Sequence, residues 1–86
     1  MDLTAIPRLS TGCRMHRSEA VLLLPEGALK LTGPAREILL RVDGTRSVGE
    51  IIGFLLAEYP EASAAEVERD ILSLLDRMQQ RGVLRV

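Results

Sequence analysis

The chain has no tryptophan, one phenylalanine, one tyrosine, one cysteine and one histidine among its 86 residues. A lone Cys13 excludes an internal disulfide and points to a reducing, cytoplasmic setting. With Phe54 and Tyr59 as the only aromatic side chains, there is no platform on which single-stranded bases could stack. Eleven basic residues against twelve acidic ones leave a net charge of −1, without the basic excess of a nucleic-acid binder. A protein or peptide partner is therefore expected. No apolar run is long enough for a signal peptide or a membrane span, and a soluble chain follows as the expectation.

Convergent reactive groups are also scarce. Cys13 and His16 stand three apart, which in a strand puts them on opposite faces, so neither a Cys–His nucleophile pair nor a metal site is supported. No glycine-rich run with a following Lys-Ser or Lys-Thr marks a phosphate loop. Glu66, Glu68 and Asp70 alternate with Arg69 in the manner of a solvated helix face. The expectation is a non-enzyme without cofactor or metal.

What is present is aliphatic: nearly half of the residues are apolar, enough for one modest core in a single domain spanning residues 1–86. Residues 1–6 read as a loose arm, and residues 7–17 alternate as a first strand, interrupted at Gly12. Residues 20–24 and 28–31 read as two further strands hinged at Pro25-Glu26-Gly27, with Pro25 and Gly27 suited to positions i+1 and i+3 of a type I turn. Thr32 and Pro34 then offer a cap and a first-turn proline for a helix carrying Ala35, Ile38, Leu39 and Val42, ended by Asp43-Gly44. Ser47 and Glu50 fit a capping box ahead of Val48, Ile51, Ile52, Leu55 and Leu56, and Pro60 closes that helix. A second capping box, Ser63 with Glu66, opens the longest helix, whose stripe is Val67, Ile71, Leu74, Leu75 and Met78. Gly82 stops it, and residues 83–86 pack back as a strand or tail. The fold class is α+β, winged helix-turn-helix-like, with a three-stranded antiparallel sheet followed by three helices.

An edge strand leaves half of its backbone groups unpaired, so an extended peptide can add to it. Ala28, Leu29, Lys30 and Leu31 form the expected edge. On the long helix, Leu72 falls off the centre of the stripe, with Glu68, Asp76 and Gln79 beside it and Leu75 bridging toward the core. If that side faces the edge strand, the two make a groove with an apolar floor and an acidic wall, matched to a peptide with apolar and basic side chains. The plainer reading of Leu72 is a widened helix stripe. Leu40 and Phe54 also lie off their core stripes and are candidate contacts for a partner, although single exposed apolar residues are common. Arg36, Arg41 and Arg46 are interspersed with Glu37 and Asp43 and read as a mixed surface. An open edge also admits a second copy of the chain, a homodimer. The rival function is a winged-helix DNA-binding regulator, and the acidic residues of the long helix argue against it.

One ordered set of residues carries more than local signals. Val21-Leu22-Leu23-Leu24-Pro25-Glu26-Gly27 is followed by Leu31, Ile38-Leu39, Asp43-Gly44, Ser47-Val48, Glu50-Ile51, Asp70-Ile71, Leu74-Leu75 and Gly82. In this order the set resembles the pyrroloquinoline quinone biosynthesis protein D family, PqqD, over residues 7–84. Thr32-Gly33-Pro34 departs from the more polar helix start common in that family. The resemblance implies a non-catalytic precursor-peptide recognition element that binds the ribosomal peptide PqqA. It would present PqqA to the radical S-adenosylmethionine enzyme PqqE in cofactor biosynthesis, with the peptide added to the third strand and packed against the third helix.

Overall fold

The computed structural model describes residues Met1–Val86. Eight elements follow one another: β1 (Arg8–Leu9), β2 (Arg14–Met15), β3 (Val21–Leu24), β4 (Gly27–Lys30), α1 (Ala35–Leu39), α2 (Val48–Glu58), α3 (Ala64–Gln80) and β5 (Leu84–Arg85). They form an α+β fold with two antiparallel sheets, one ordered β2-β3-β4 and the other pairing β1 with β5.

The single first strand expected over residues 7–17 is two strands serving different sheets. Gly12, at φ 88°, turns the chain between them, and a Cβ there would come within 2.9 Å of the Pro25 ring. Beyond this turn, β1 leaves the main sheet and pairs with the C-terminal strand, Arg8 opposite Arg85 and Leu9 opposite Leu84. The three-stranded sheet is therefore accompanied by a second sheet that joins the two ends of the chain.

β3 and β4 meet across Pro25 and Glu26 with Leu24 opposite Gly27 and Leu22 opposite Leu29. Alternation puts Leu22, fully buried, on the core face, where Leu29 packs beside it. α1 is shorter than its apolar pattern suggests. It is capped at Pro34 without a side-chain hydrogen bond, and it ends at Leu39 instead of Asp43. Two i→i+3 bonds, Arg41 to Ile38 and Val42 to Leu39, carry the chain on in tight turns, so Val42 is still buried.

α2 has the full capping box. The Ser47 amide donates to Glu50 Oε1 at 2.8 Å and the Glu50 amide to Ser47 Oγ at 3.1 Å. At α3 only half of the expected box forms, the Glu66 amide donating to Ser63 Oγ. Gly82 ends α3, adopting φ 77°, with its amide donating to Gln79 and the Val83 amide to Met78. That bond pair is a Schellman motif, and it aims Val83 and Leu84, both buried, back at the core.

Residues 1–6, expected as a loose arm, lie against the start of α2 and the core. The amides of Val48 and Gly49, left without intrahelical partners at the start of α2, donate to Ala5 and Leu3 at 2.9 Å each. Met1 and Ala5 pack on the core, a cluster of 16 buried aliphatic residues drawn from the main sheet, the helices and the C-terminal strand. No helix is long and apolar enough to cross a membrane.

Candidate functional site

β4 is the last strand of its sheet. The Leu31 amide donates to the Ala20 carbonyl at 2.8 Å, and continuing the register makes Ala20/Leu31, Leu22/Leu29 and Leu24/Gly27 the hydrogen-bonded pairs. In the intervening pairs, Val21/Lys30 and Leu23/Ala28, backbone groups point away from the partner strand. The N–H and C=O of Ala28 and Lys30 therefore line the open edge.

A cleft of about 330 Å³ runs beside this edge. Leu29, Lys30 and Leu31 form one side, Pro34, Ala35 and Ile38 lie at its base, and Asp70, Ser73, Leu74, Arg77, Met78 and Arg81 of α3 form the other side. The strand–helix groove expected from sequence exists, but its helical wall is on the other flank of the α3 stripe. Leu72 stands about 200° around the helix from Asp70. Glu68, Leu72, Leu75, Asp76 and Gln79 cluster there and none lines the cleft beside β4.

The condition that the Leu72 side of α3 faces β4 is therefore not met, and the five residues lie as follows. Leu75 is fully buried in the core. Asp76 accepts a 2.8 Å charge-assisted hydrogen bond from the Met1 ammonium. Leu72 is half-buried and packs on the core, while Glu68 and Gln79 are exposed on that flank. The wall that does face β4 carries two arginines and one aspartate, and Asp70, Arg77 and Arg81 make none of the chain's ion pairs. Its electrostatic sign is the reverse of the expected acidic wall. The signal that was available is the recurrence of Ser73, Arg77 and Arg81 at a helical spacing of four, on the flank opposite Leu72.

A second cleft of about 250 Å³ continues from the first through their shared residues Pro34, Ile38 and Asp70. It is completed by Tyr59, Ala62, Val67 and Ile71.

The other singled-out residues lie elsewhere. Phe54, 46% exposed, is flanked by the guanidinium groups of Arg41 and Arg46 at 5.3 and 4.8 Å from its ring centroid. Arg41 also bonds Glu37 and Glu58, and Leu40 is exposed. His16 Nδ1 accepts from the amides of Ser18 and Glu19 at 3.1 and 3.0 Å, so the imidazole holds the turn before β3. Asp43 accepts from the amide and hydroxyl of Thr45 and from the Arg46 amide, and the Thr45 bonds lead in holding its carboxyl below the usual range. No cluster of three or more metal-ligating side chains occurs.

Comparison with known proteins agrees with this architecture. The family model described as coenzyme PQQ synthesis protein D (PqqD) matches residues 19–84. The PqqA binding protein of Stutzerimonas stutzeri is 40% identical over 85 residues, covering 94% of this chain and 90% of the relative. That of Azotobacter vinelandii is 39% identical, covering 93% and 89%. The solution NMR structure of the PqqD truncation of Methylobacterium extorquens PqqCD, described as a stand-alone recognition element for ribosomally synthesized and modified peptides, superimposes with a TM-score of 0.76. It is 36% identical, with all of both chains covered. With its hairpin edge, its three helices and nearly its whole length matched in these relatives, the chain belongs to the PqqD family.

Proposed function

We propose that this protein is a non-catalytic adaptor that binds the precursor peptide PqqA in extended form and presents it to the radical S-adenosylmethionine enzyme PqqE. The observation that carries the reading is the open β4 edge beside a cleft: the backbone groups of Ala28 and Lys30 face outward, and α3 supplies a second wall for side chains. Main-chain bonds to the edge give affinity without regard to sequence, and the cleft gives selectivity. Holding a disordered peptide in this way raises its effective concentration at a separate enzyme. The module is winged-helix-like in this reading, with β3 and β4 as the wing. The exposed surface around Leu40 and Phe54, away from the cleft, is the candidate contact for PqqE.

The DNA-binding alternative finds little support, because Glu66, Glu68 and Asp70 crowd the first half of α3, where phosphates would repel them. Calorimetric titration with PqqA, with a short duplex DNA as control, tests the proposal. Saturable peptide binding without a DNA response is the expected result. Absence of peptide binding, also after addition of PqqE, overturns it and leaves the edge to pairing between copies of this chain.

A further inference from the structure

Two features sit toward opposite ends of α3, on adjoining faces of the helix. Arg77 and Arg81 stand beside β4 at the C-terminal end of the helix, free of ion pairs. Val67 and Ile71, toward its N-terminal end, line the second cleft with Tyr59 and Ala62. Asp70, Pro34 and Ile38 belong to both clefts, so one ligand can pass from the first to the second without leaving the surface. Asp70 lies at the N-terminal end, one residue before Ile71, and disfavours an acidic group at the second cleft, which leaves negative charge to the Arg77/Arg81 end.

From this arrangement we infer that the groove reads its peptide at two points: a carboxylate side chain held by Arg77 and Arg81, and an aliphatic or aromatic side chain inserted in the cleft of Tyr59, Ala62, Val67 and Ile71. The spacing follows from geometry. The midpoints of the two pairs lie about ten residues apart along α3, or about 15 Å at 1.5 Å per residue. An extended peptide rises about 3.3 Å per residue, so about four to five residues separate the two anchors. Side chains on one face of a strand recur every second residue, which selects four. The ligand class is thus an extended peptide bearing an acidic and an apolar residue at i and i+4, in one or the other chain direction.

The inference rests on the groove being the peptide site, and the experiment separates the two. Acetylated, amidated decapeptides on a serine–threonine background, each with one glutamate and one leucine two to eight residues apart in either order, are titrated into the labelled protein and followed by NMR. PqqA is titrated in parallel. The decapeptides should bind best at a separation of four, shifting the amides of Val67 and Ile71 together with those of Arg77 and Arg81. The double variant Arg77→Glu/Arg81→Glu should weaken PqqA by on the order of tenfold, less so at about 0.5 M salt. Ala62→Phe, at an exposed loop position, should fill the second cleft and weaken PqqA by roughly tenfold or more without that salt dependence. PqqA binding that neither variant changes, with no preferred separation among the decapeptides, overturns the two-point reading and leaves the groove assignment standing. A decapeptide optimum at four without PqqA binding upholds the two points and removes PqqA as the ligand. Binding of neither overturns both.

Discussion

The Met1 ammonium and the Asp76 carboxylate meet at 2.8 Å, although 75 positions apart in sequence. This contact lays the first residues of the chain across the flank of α3 that carries Leu72, and it leaves the opposite flank, with Arg77 and Arg81, open toward β4. Asp76 is 44% exposed, so its pair contributes a surface-sized stabilisation of about 0.2–1 kcal/mol. Asp76→Asn is expected to lower stability by that amount in urea denaturation and to leave peptide affinity within about twofold, a margin set by its distance from the groove. A larger loss of affinity in calorimetry would return the peptide to the Leu72 flank.

Much of this fold is legible in the sequence because it is set locally. The Pro25–Gly27 hinge, the Ser47/Glu50 box, the Gly82 stop and the aliphatic stripes of α2 and α3 all depend on neighbours within a few residues. What is not legible is non-local. A helical wheel shows that α3 has two flanks beside its stripe, but not which of them β4 borders. That is decided by how the Thr32–Pro34 connection and α1 seat the sheet, and the charge of the groove wall changes sign with it. The pairing of β1 with β5 joins opposite ends of the chain across two residues each, too short for an alternation signal. Residues 1–6 look like an arm because their backbone partners, Val48 and Gly49, lie in a helix start that satisfies some of its donors from outside.

Gly82 holds φ 77° with no atom close to where a Cβ would lie. A side chain there meets no clash with neighbours, only the intrinsic cost of the left-handed conformation, about 1–2 kcal/mol. Gly82→Ala should lower unfolding stability by this amount at unchanged denaturant slope. Because Val83 and Leu84 enter the core directly after the turn, a changed slope would mean instead that the terminal strand has come away.

Acid should act partly through Asp43. Its carboxyl is held below its ordinary value of 3.8, first by the bonds from Thr45. The folded chain therefore takes up this proton less readily than the unfolded one, so the stabilisation is fully present above 3.8 and is lost as pH falls through the depressed folded value. Asp43→Asn removes that contribution. In thermal melts from neutral pH downward, the variant should start lower than the parent and show a shallower decline below about pH 4. Parallel curves for the two proteins would assign the acid response to other carboxylates.

The two faces of β4 give a position-specific test of strand addition. The Lys30 amide points to the open edge, whereas the Leu29 amide points to Leu22 of β3. Proline removes the N–H in either case, with opposite consequences. Lys30→Pro deletes a donor that only an added strand would use and sets a ring against the incoming backbone, so peptide affinity should fall by about tenfold while the melting transition moves little. Leu29→Pro breaks a bond inside the sheet and should lower stability first, by about 1 kcal/mol or more. Melting curves and calorimetric affinities of both variants distinguish the cases. If Lys30→Pro binds PqqA as tightly as the parent, the peptide is held by side chains in the cleft and not as a fourth strand of the main sheet.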